Sequence, residues 1–252
     1  MEINEETREH WDNISDEWYA SQYENTDTLE RIKTLPHRSF PTGVWENIFR
    51  FYPDLSGVKV CVPSSGNNVA AFSFHVLGAK VTSCDISSRQ IVNAKRIADA
   101  QGWDIDFHVC DSMEMDEIKD DEFDLVFTSN GVHVWISALS VMYGNFYRIL
   151  KDGGRYIFFE THPFIRPFDD AEDVLKVRKM YSDISNNNWR VQDFANSLIE
   201  SGFTINHIDE LSAEKDVAGA QWWNPEEWDA KADWQINPYA ALPQWISFCT
   251  KK

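Results

Sequence analysis

Basic residues are what this 252-residue sequence lacks most: 23 lysines and arginines stand against 41 aspartates and glutamates, a formal net charge of −18. No basic run exceeds two residues, the terminal Lys251-Lys252 among them. Polyanions are held by clustered cations that release counterions, and the field of so acidic a chain opposes such a patch. Nucleic acid is therefore excluded as a partner. No apolar run approaches the ~20 residues of a membrane span. The N-terminal Met-Glu-Ile-Asn-Glu-Glu has neither the basic flank nor the apolar stretch of a signal peptide. Both absences predict a soluble, cytoplasmic protein with no membrane partner. Cysteine is scarce: Cys61, Cys84, Cys110 and Cys249 form no CxxC pair, so no metal site or disulfide framework is predicted. Three of them fall in β-like runs, where small apolar residues of buried strands are expected. The chain does have 43% hydrophobic and 14% aromatic residues, which excludes disorder. Its length suits one α/β domain.

Trp11, Ile14, Trp18 and Tyr19 recur at helical spacing in a segment whose first 30 residues carry ten acids and one base, which predicts an amphipathic N-terminal helix. A second helix is predicted over Val44–Tyr52, stopped by Pro53. Short β-branched or aromatic runs follow at Val58–Val62, Val81–Asp85, Ile105–Cys110, Leu125–Thr128 and Tyr156–Glu160, and read as strands. Between the second and third, Ser87 is the expected N-cap and Gln90 its capping-box partner, with Ile91, Ala94, Ile97 and Ala98 on one face and Gly102 as the stop. Leu139, Met142, Tyr143, Phe146 and Leu150 mark another helix, expected to break at Asp152-Gly153-Gly154. Alternation of this kind means βαβ units and a parallel, doubly wound α/β sheet. Pro163 to Asn188 interrupts the rhythm as an insertion; a helix over Val191–Ser201 and strands over Phe203–Ile208 and Trp245–Thr250 complete the chain.

Ligands of open parallel sheets bind beyond the carboxyl ends of the strands. The first strand ends in Pro63-Ser64-Ser65-Gly66-Asn67-Asn68, where Gly66 and Asn68 suit left-handed backbone. The second ends in Asp85, 19 residues past Gly66, placed to accept hydrogen bonds from a ribose. The third ends in Asp111-Ser112 and the fourth in Ser129-Asn130-Gly131. Four polar strand ends in succession point to a nucleoside-containing ligand.

Over residues 55–161 these segments resemble the class I S-adenosylmethionine-dependent methyltransferases. Val60 to Gly66 stands where the family has its glycine-rich first motif. Val81 to Ser87 looks like the motif whose acid holds the ribose and whose next residue, here Ile86, packs on adenine. Asp111-Ser112-Met113 matches the motif that contacts the adenine amino group. Phe123 to Val126 with Asn130, and Leu150 to Tyr156, resemble the fourth and fifth strand motifs. The pattern departs from the family at Val62, where an acid is customary, and at Ser64 and Asn68, where glycines are.

The resemblance implies a seven-stranded, mostly parallel Rossmann-like sheet in a single domain over 1–252, with an N-terminal helical lid (1–54), a cofactor-binding core (55–161), a covering insertion (162–190) and C-terminal helix and strands (191–252). It also implies S-adenosyl-L-methionine as cofactor, lined by Ser64, Gly66, Asp85, Ile86, Asp111, Ser112, Met113 and Asn130, and a small-molecule methyl acceptor. His133 and His162, the latter in a His-Pro-Phe sequence like one in small-molecule methyltransferases, are the candidate catalytic residues on the acceptor side. Trp222, Trp223, Trp228, Trp234 and Trp245 fall within 24 residues and read either as a structural plug or as acceptor contacts. Two rivals stand beside the enzyme: a non-catalytic module that keeps the cofactor fold, and an NAD(P)-dependent oxidoreductase, whose G-x-G-x-x-G survives only as Gly66.

Overall fold

The computed structural model describes residues 2–169, 174–212, 214 and 232–252. Its centre is a seven-stranded sheet: β1 (Lys59–Val62), β2 (Lys80–Asp85), β3 (Asp106–Val109), β4 (Phe123–Thr128), β5 (Leu150–Thr161), β6 (Thr204–Leu211) and β7 (Trp245–Lys251), in the spatial order 3-2-1-4-5-7-6. The first five strands pair in parallel, and β7 runs antiparallel between β5 and β6.

Strict alternation explains why both faces are covered. Val60, Val62, Leu125, Phe127, Ile157 and Phe159 point into one apolar cluster; Cys61, Val126, Tyr156 and Phe158 point into the other. Successive strand residues face opposite sides, so near-continuous apolar runs need helices on each. On the first side lie α1 (Glu2–Tyr23), α2 (Thr28–Thr34), α3 (Thr42–Phe51), α4 (Val69–Val76) and α5 (Ser88–Gln101), and on the second α6 (Leu139–Ile149) and α7 (Val191–Glu200). All four cysteines are buried and free, in keeping with their apolar reading.

Two local expectations need correction. Asp152-Gly153-Gly154 does not break the chain: α6 passes directly into β5, which begins at Leu150. The β4–β5 register slips between Phe123 and Leu125, and a Cβ on Gly154 would lie 2.8 Å from the Lys151 carbonyl, so glycine permits the close approach there. The capping box of α5 is half formed. Ser87 Oγ accepts from the Gln90 N–H at 3.0 Å, but the Ser87 N–H that Gln90 would accept is taken by Asp85 Oδ1 at 2.9 Å. The Gln90 side-chain amide is left buried without a partner among the described residues. Within the insertion, Phe168–Asp169 and Lys176–Val177 form a short antiparallel ribbon. Trp222, Trp223 and Trp228 lie outside the described residues. Trp245 begins β7 and packs against Phe159, while Trp234 is exposed.

Candidate cofactor and acceptor site

The order of strands reverses between β1 and β4, and the carboxyl ends of β1 to β4 open into one cavity of about 590 Å³. Ligands of open α/β sheets bind at such a switch point. The Ser64, Gly66, Asp85, Ile86, Asp111, Ser112, Met113 and Asn130 named from the sequence all line it.

The loop after β1 is built on alternating left-handed backbone: φ is +49° at Ser64, +52° at Gly66 and +62° at Asn68. The two non-glycine positions are held by bonding. Ser64 Oγ lies 2.7 Å from Ser112 Oγ, tying the loop to the end of β3. Asn68 is buried; its amide nitrogen donates to Tyr19 Oη, Ser65 Oγ and the Gly66 carbonyl at 2.9, 3.1 and 3.0 Å, and its oxygen accepts from Ser83 Oγ at 2.5 Å. A Cβ at Gly66 would meet nothing within 4 Å, so the backbone there faces open space.

Asp85 sits at the centre. Its Oδ2 accepts from the Gly66 N–H and its Oδ1 from the Ser87 N–H, both at 2.9 Å. A carboxylate offers about four lone-pair directions, so two remain for a ligand diol. Burial pushes the carboxyl up to about 6, against the pull of those two N–H groups and with help from the nearby charge of Asp12. Asp111 Oδ1 accepts from the Met113 N–H at 2.8 Å, shaping the turn after β3.

Across the opening lies α1. Thr7, Trp11, Trp18 and Gln22 line the cavity from this helix. Two sets of bonds hold it. Tyr19 and Tyr23 hydroxyls donate to the carbonyls of Gly66 and Asn67 at 2.9 and 2.5 Å. Asp12 Oδ1 accepts from Ser87 Oγ and the Arg89 N–H at 2.6 and 3.0 Å, while Asp16 pairs with the Arg89 guanidinium and accepts from Asn93. The Arg89 hydrogen bond, then that of Asn93, holds the Asp16 carboxyl down at about 2.

Neither histidine lines the cavity. The His133 ring is buried in the core among Phe158, Phe194 and Tyr143. Its Nδ1 lies 3.2 Å from Glu160 Oε2; an ionised carboxylate only accepts, so Nδ1 carries the proton. Its Nε2 is buried without a partner among the described residues. His162 is also buried: Nδ1 accepts from the Phe164 N–H at 3.1 Å and Nε2 donates to Glu210 at 3.0 Å. Burial holds His162 below its usual range despite Glu210. Both rings are thus buried in the fold, away from the cavity lining where an acceptor-side role was expected.

Sequence reasoning missed the residues that fix the loop after β4. Glu160, buried at the end of β5, accepts from the N–H groups of Gly131, His133 and Thr161 at 2.7–3.2 Å. Burial works to raise its carboxyl, but the His133 hydrogen bond, the Arg166 charge and the Gly131 N–H keep it below its ordinary value. The Trp189 indole N–H donates to the carbonyls of His133 and Ile136, both at 3.1 Å. Loop N–H and carbonyl groups are thus both satisfied, and Trp135 is presented to the cavity. The available signal was Glu160 itself, an acid at a strand end like Asp85 and Asp111.

Residues 63–154 match a family described as a methyltransferase domain. The uncharacterized methyltransferase YbaJ of Bacillus subtilis (strain 168) is 28% identical over 157 residues, 58% of this chain and 56% of the relative, so the match spans little more than half the relative's length. Among solved structures, an S-adenosylmethionine-dependent methyltransferase from Mesorhizobium loti superposes with a TM-score of 0.59 at 18% identity, covering 82% of this chain and 97% of that one. The geranyl diphosphate C-methyltransferase from Streptomyces coelicolor A3(2), bound to Mg²⁺, geranyl diphosphate and S-adenosyl-L-homocysteine, gives 0.65 at 13% identity, covering 100% and 98%. At these identities the solved structures share the fold.

Proposed function

We propose that this chain, whose residues 63–154 match a methyltransferase domain family, is a class I S-adenosylmethionine-dependent methyltransferase that binds S-adenosyl-L-methionine at the ends of β1 to β4 and transfers its methyl group to a small-molecule acceptor. The observation that carries this reading is the Asp85 carboxylate, anchored by Gly66 and Ser87 N–H groups with acceptor capacity left over, beside backbone that no side chain obstructs. Asp85 takes the ribose hydroxyls, Ile86 packs on the adenine face, and Asp111, Ser112 and Met113 meet the adenine edge. Ser64, Gly66 and Asn130 line the remainder.

S-adenosylmethionine supplies a sulfonium methyl group, whose in-line displacement depends mainly on orientation. The chain's part is to hold the reactants and exclude water, with α1 (within the segment 1–54) as the lid over the core (55–161), the segment 162–190 as a cover, and 191–252 completing one domain. Among the described residues no helix is long and apolar enough to cross a membrane; a cytoplasmic setting is part of this proposal.

Calorimetric titration with S-adenosylmethionine, S-adenosylhomocysteine and NAD(P) tests it. The first two should bind and the nucleotides should not. Asp85→Ala removes charge-assisted bonds worth roughly 1.5–3 kcal/mol each, so affinity should fall at least about tenfold. Binding of NAD(P) alone, or equal affinity in Asp85→Ala, would overturn the assignment; tight binding with no methyl transfer to any acceptor would favour the non-catalytic module.

A further inference from the structure

Beyond Asp85 and Asp111, at the strand ends, no charged side chain lines the cavity among the described residues, and no lysine, arginine or histidine does. An acceptor carrying phosphate or carboxylate would enter without a counter-charge, against the field of a chain of net charge −18. No histidine among the described residues lines the cavity to serve a hydroxyl acceptor either: His133 and His162 are buried in the fold, and His10, which stacks on Trp135 at 5.1 Å and meets Trp11 edge-on at 5.6 Å, is not among the lining residues. What the acceptor side does have is indole. Trp11 and Trp18 from α1 and Trp135 from the loop after β4 all line the cavity. Trp11 meets Trp18 at 6.3 Å and 70° between ring planes, and Trp135 at 5.4 Å and 67°. These near-perpendicular rings form walls of differing orientation, the arrangement by which aromatic faces hold an ammonium or sulfonium group.

We infer that the methyl acceptor is an amine with an apolar body, seated among Trp11, Trp18 and Trp135. The inference rests on the methyltransferase reading above. The chemistry balances with the residues present. The amine lone pair forms the new N–C bond as the S–C bond breaks and its electron pair stays on sulfur. One positive charge thereby moves from sulfur to nitrogen, giving an ammonium product and a neutral thioether. A tertiary amine has no proton to lose, and a primary or secondary amine that enters neutral sheds its proton afterwards to water. The charge exists before, during and after transfer, so indole faces stabilise it throughout without a base or a cation.

The test uses the full chain and three probes of similar shape: benzyltrimethylammonium, its neutral carbon isostere neopentylbenzene, and the anion benzylphosphonate. Each is titrated by calorimetry and tryptophan fluorescence, with and without saturating S-adenosylhomocysteine. The ammonium should bind at least about fivefold more tightly than the neutral isostere, a modest cation–π preference, with the phosphonate weakest. Trp135→Leu and, at the more exposed ring, Trp18→Leu should each bring ammonium and isostere within about twofold. Equal or tighter binding of the isostere or the phosphonate to the wild type overturns the amine assignment, as does a cation preference that survives both variants. The same titrations read the underlying proposal separately. If S-adenosylhomocysteine binds without a cation preference, only the amine assignment fails; if it does not bind, the methyltransferase reading fails and takes the acceptor with it.

Discussion

Asn68 shows how one residue can depart from a glycine pattern without losing the conformation that glycine serves. Its left-handed φ of +62° costs an L-residue on the order of 1 kcal/mol, least for asparagine. Against that stand the hydrogen bonds of a buried amide, whose two N–H groups are shared among Tyr19, Ser65 and the Gly66 carbonyl and whose oxygen accepts from Ser83, each bond worth about 0.5–1.5 kcal/mol net. The bonds outweigh the strain. Restoring the glycine is therefore predicted to harm this protein: Asn68→Gly should lose about 1–3 kcal/mol of stability by urea denaturation, because it empties a buried site and cuts the tie to Tyr19. A variant as stable as the wild type, or more so, would mean that backbone strain dominates. The same comparison does not decide Ser64, where relief of φ +49° and loss of the 2.7 Å bond to Ser112 are of similar size.

At the scale of elements, α1 is a helix held by its polar groups at several places along its length. Asp12 bonds to the start of α5, Asp16 to Arg89 and Asn93, and Tyr19 and Tyr23 to the loop after β1. Removing the first contact leaves the others to keep the helix docked, so Asp12→Ala should cost only about 1 kcal/mol in global stability, comparable to a lost helix cap. It should nevertheless weaken S-adenosylhomocysteine binding several-fold and speed proteolytic cleavage within residues 1–23. Unchanged affinity and unchanged protease resistance would show that α1 does not close the site. The helix was legible from Trp11, Ile14, Trp18 and Tyr19, and the strands from their apolar runs, because burial on one face or on both leaves a period in the sequence. The latch was not legible: Asp12 and Ser87 are 75 residues apart, and nothing local distinguishes Asp12 from the other acids around it. The same limit explains His133. Its place after a strand end was right for the loop, but the direction of the ring is set by Glu160, 27 residues on, and by the aromatic pocket that receives it. It also explains β5, whose start at Leu150 runs through a Gly-Gly pair that ordinarily marks a turn; the pairing with β4 carries the strand across it.

At the scale of the whole molecule, charge should set stability and binding in opposition. The Asp85 carboxyl, ordinarily near 3.8, is pushed up to about 6 by burial. Between those values the folded chain holds a proton that the unfolded chain has released, so the stabilising contribution, complete below pH 3.8, is lost as pH rises through 6. A shift of about two units corresponds to ~3 kcal/mol. The self-repulsion of a chain at −18 acts in the same sense, easing as carboxylates protonate. Asp16 acts in the opposite sense at lower pH: held at about 2 by Arg89, it supports the fold above pH 3.8 and ceases to do so as pH falls toward 2. The melting temperature should therefore rise as pH is lowered from 8 to 5, and fall again below about 4. Asp85→Asn should flatten the upper part of that profile, and added salt should raise the melting temperature more at pH 8 than at pH 5. Cofactor affinity should run the other way, because ribose hydroxyls donate to the ionised carboxylate. With half the sites protonated near pH 6, S-adenosylhomocysteine binding should weaken about tenfold between pH 7 and pH 5 in the wild type and stay level in Asp85→Asn at its lower affinity. A wild-type affinity flat across that range would mean that Asp85 is not the group the ligand reads, whatever the melting profile does.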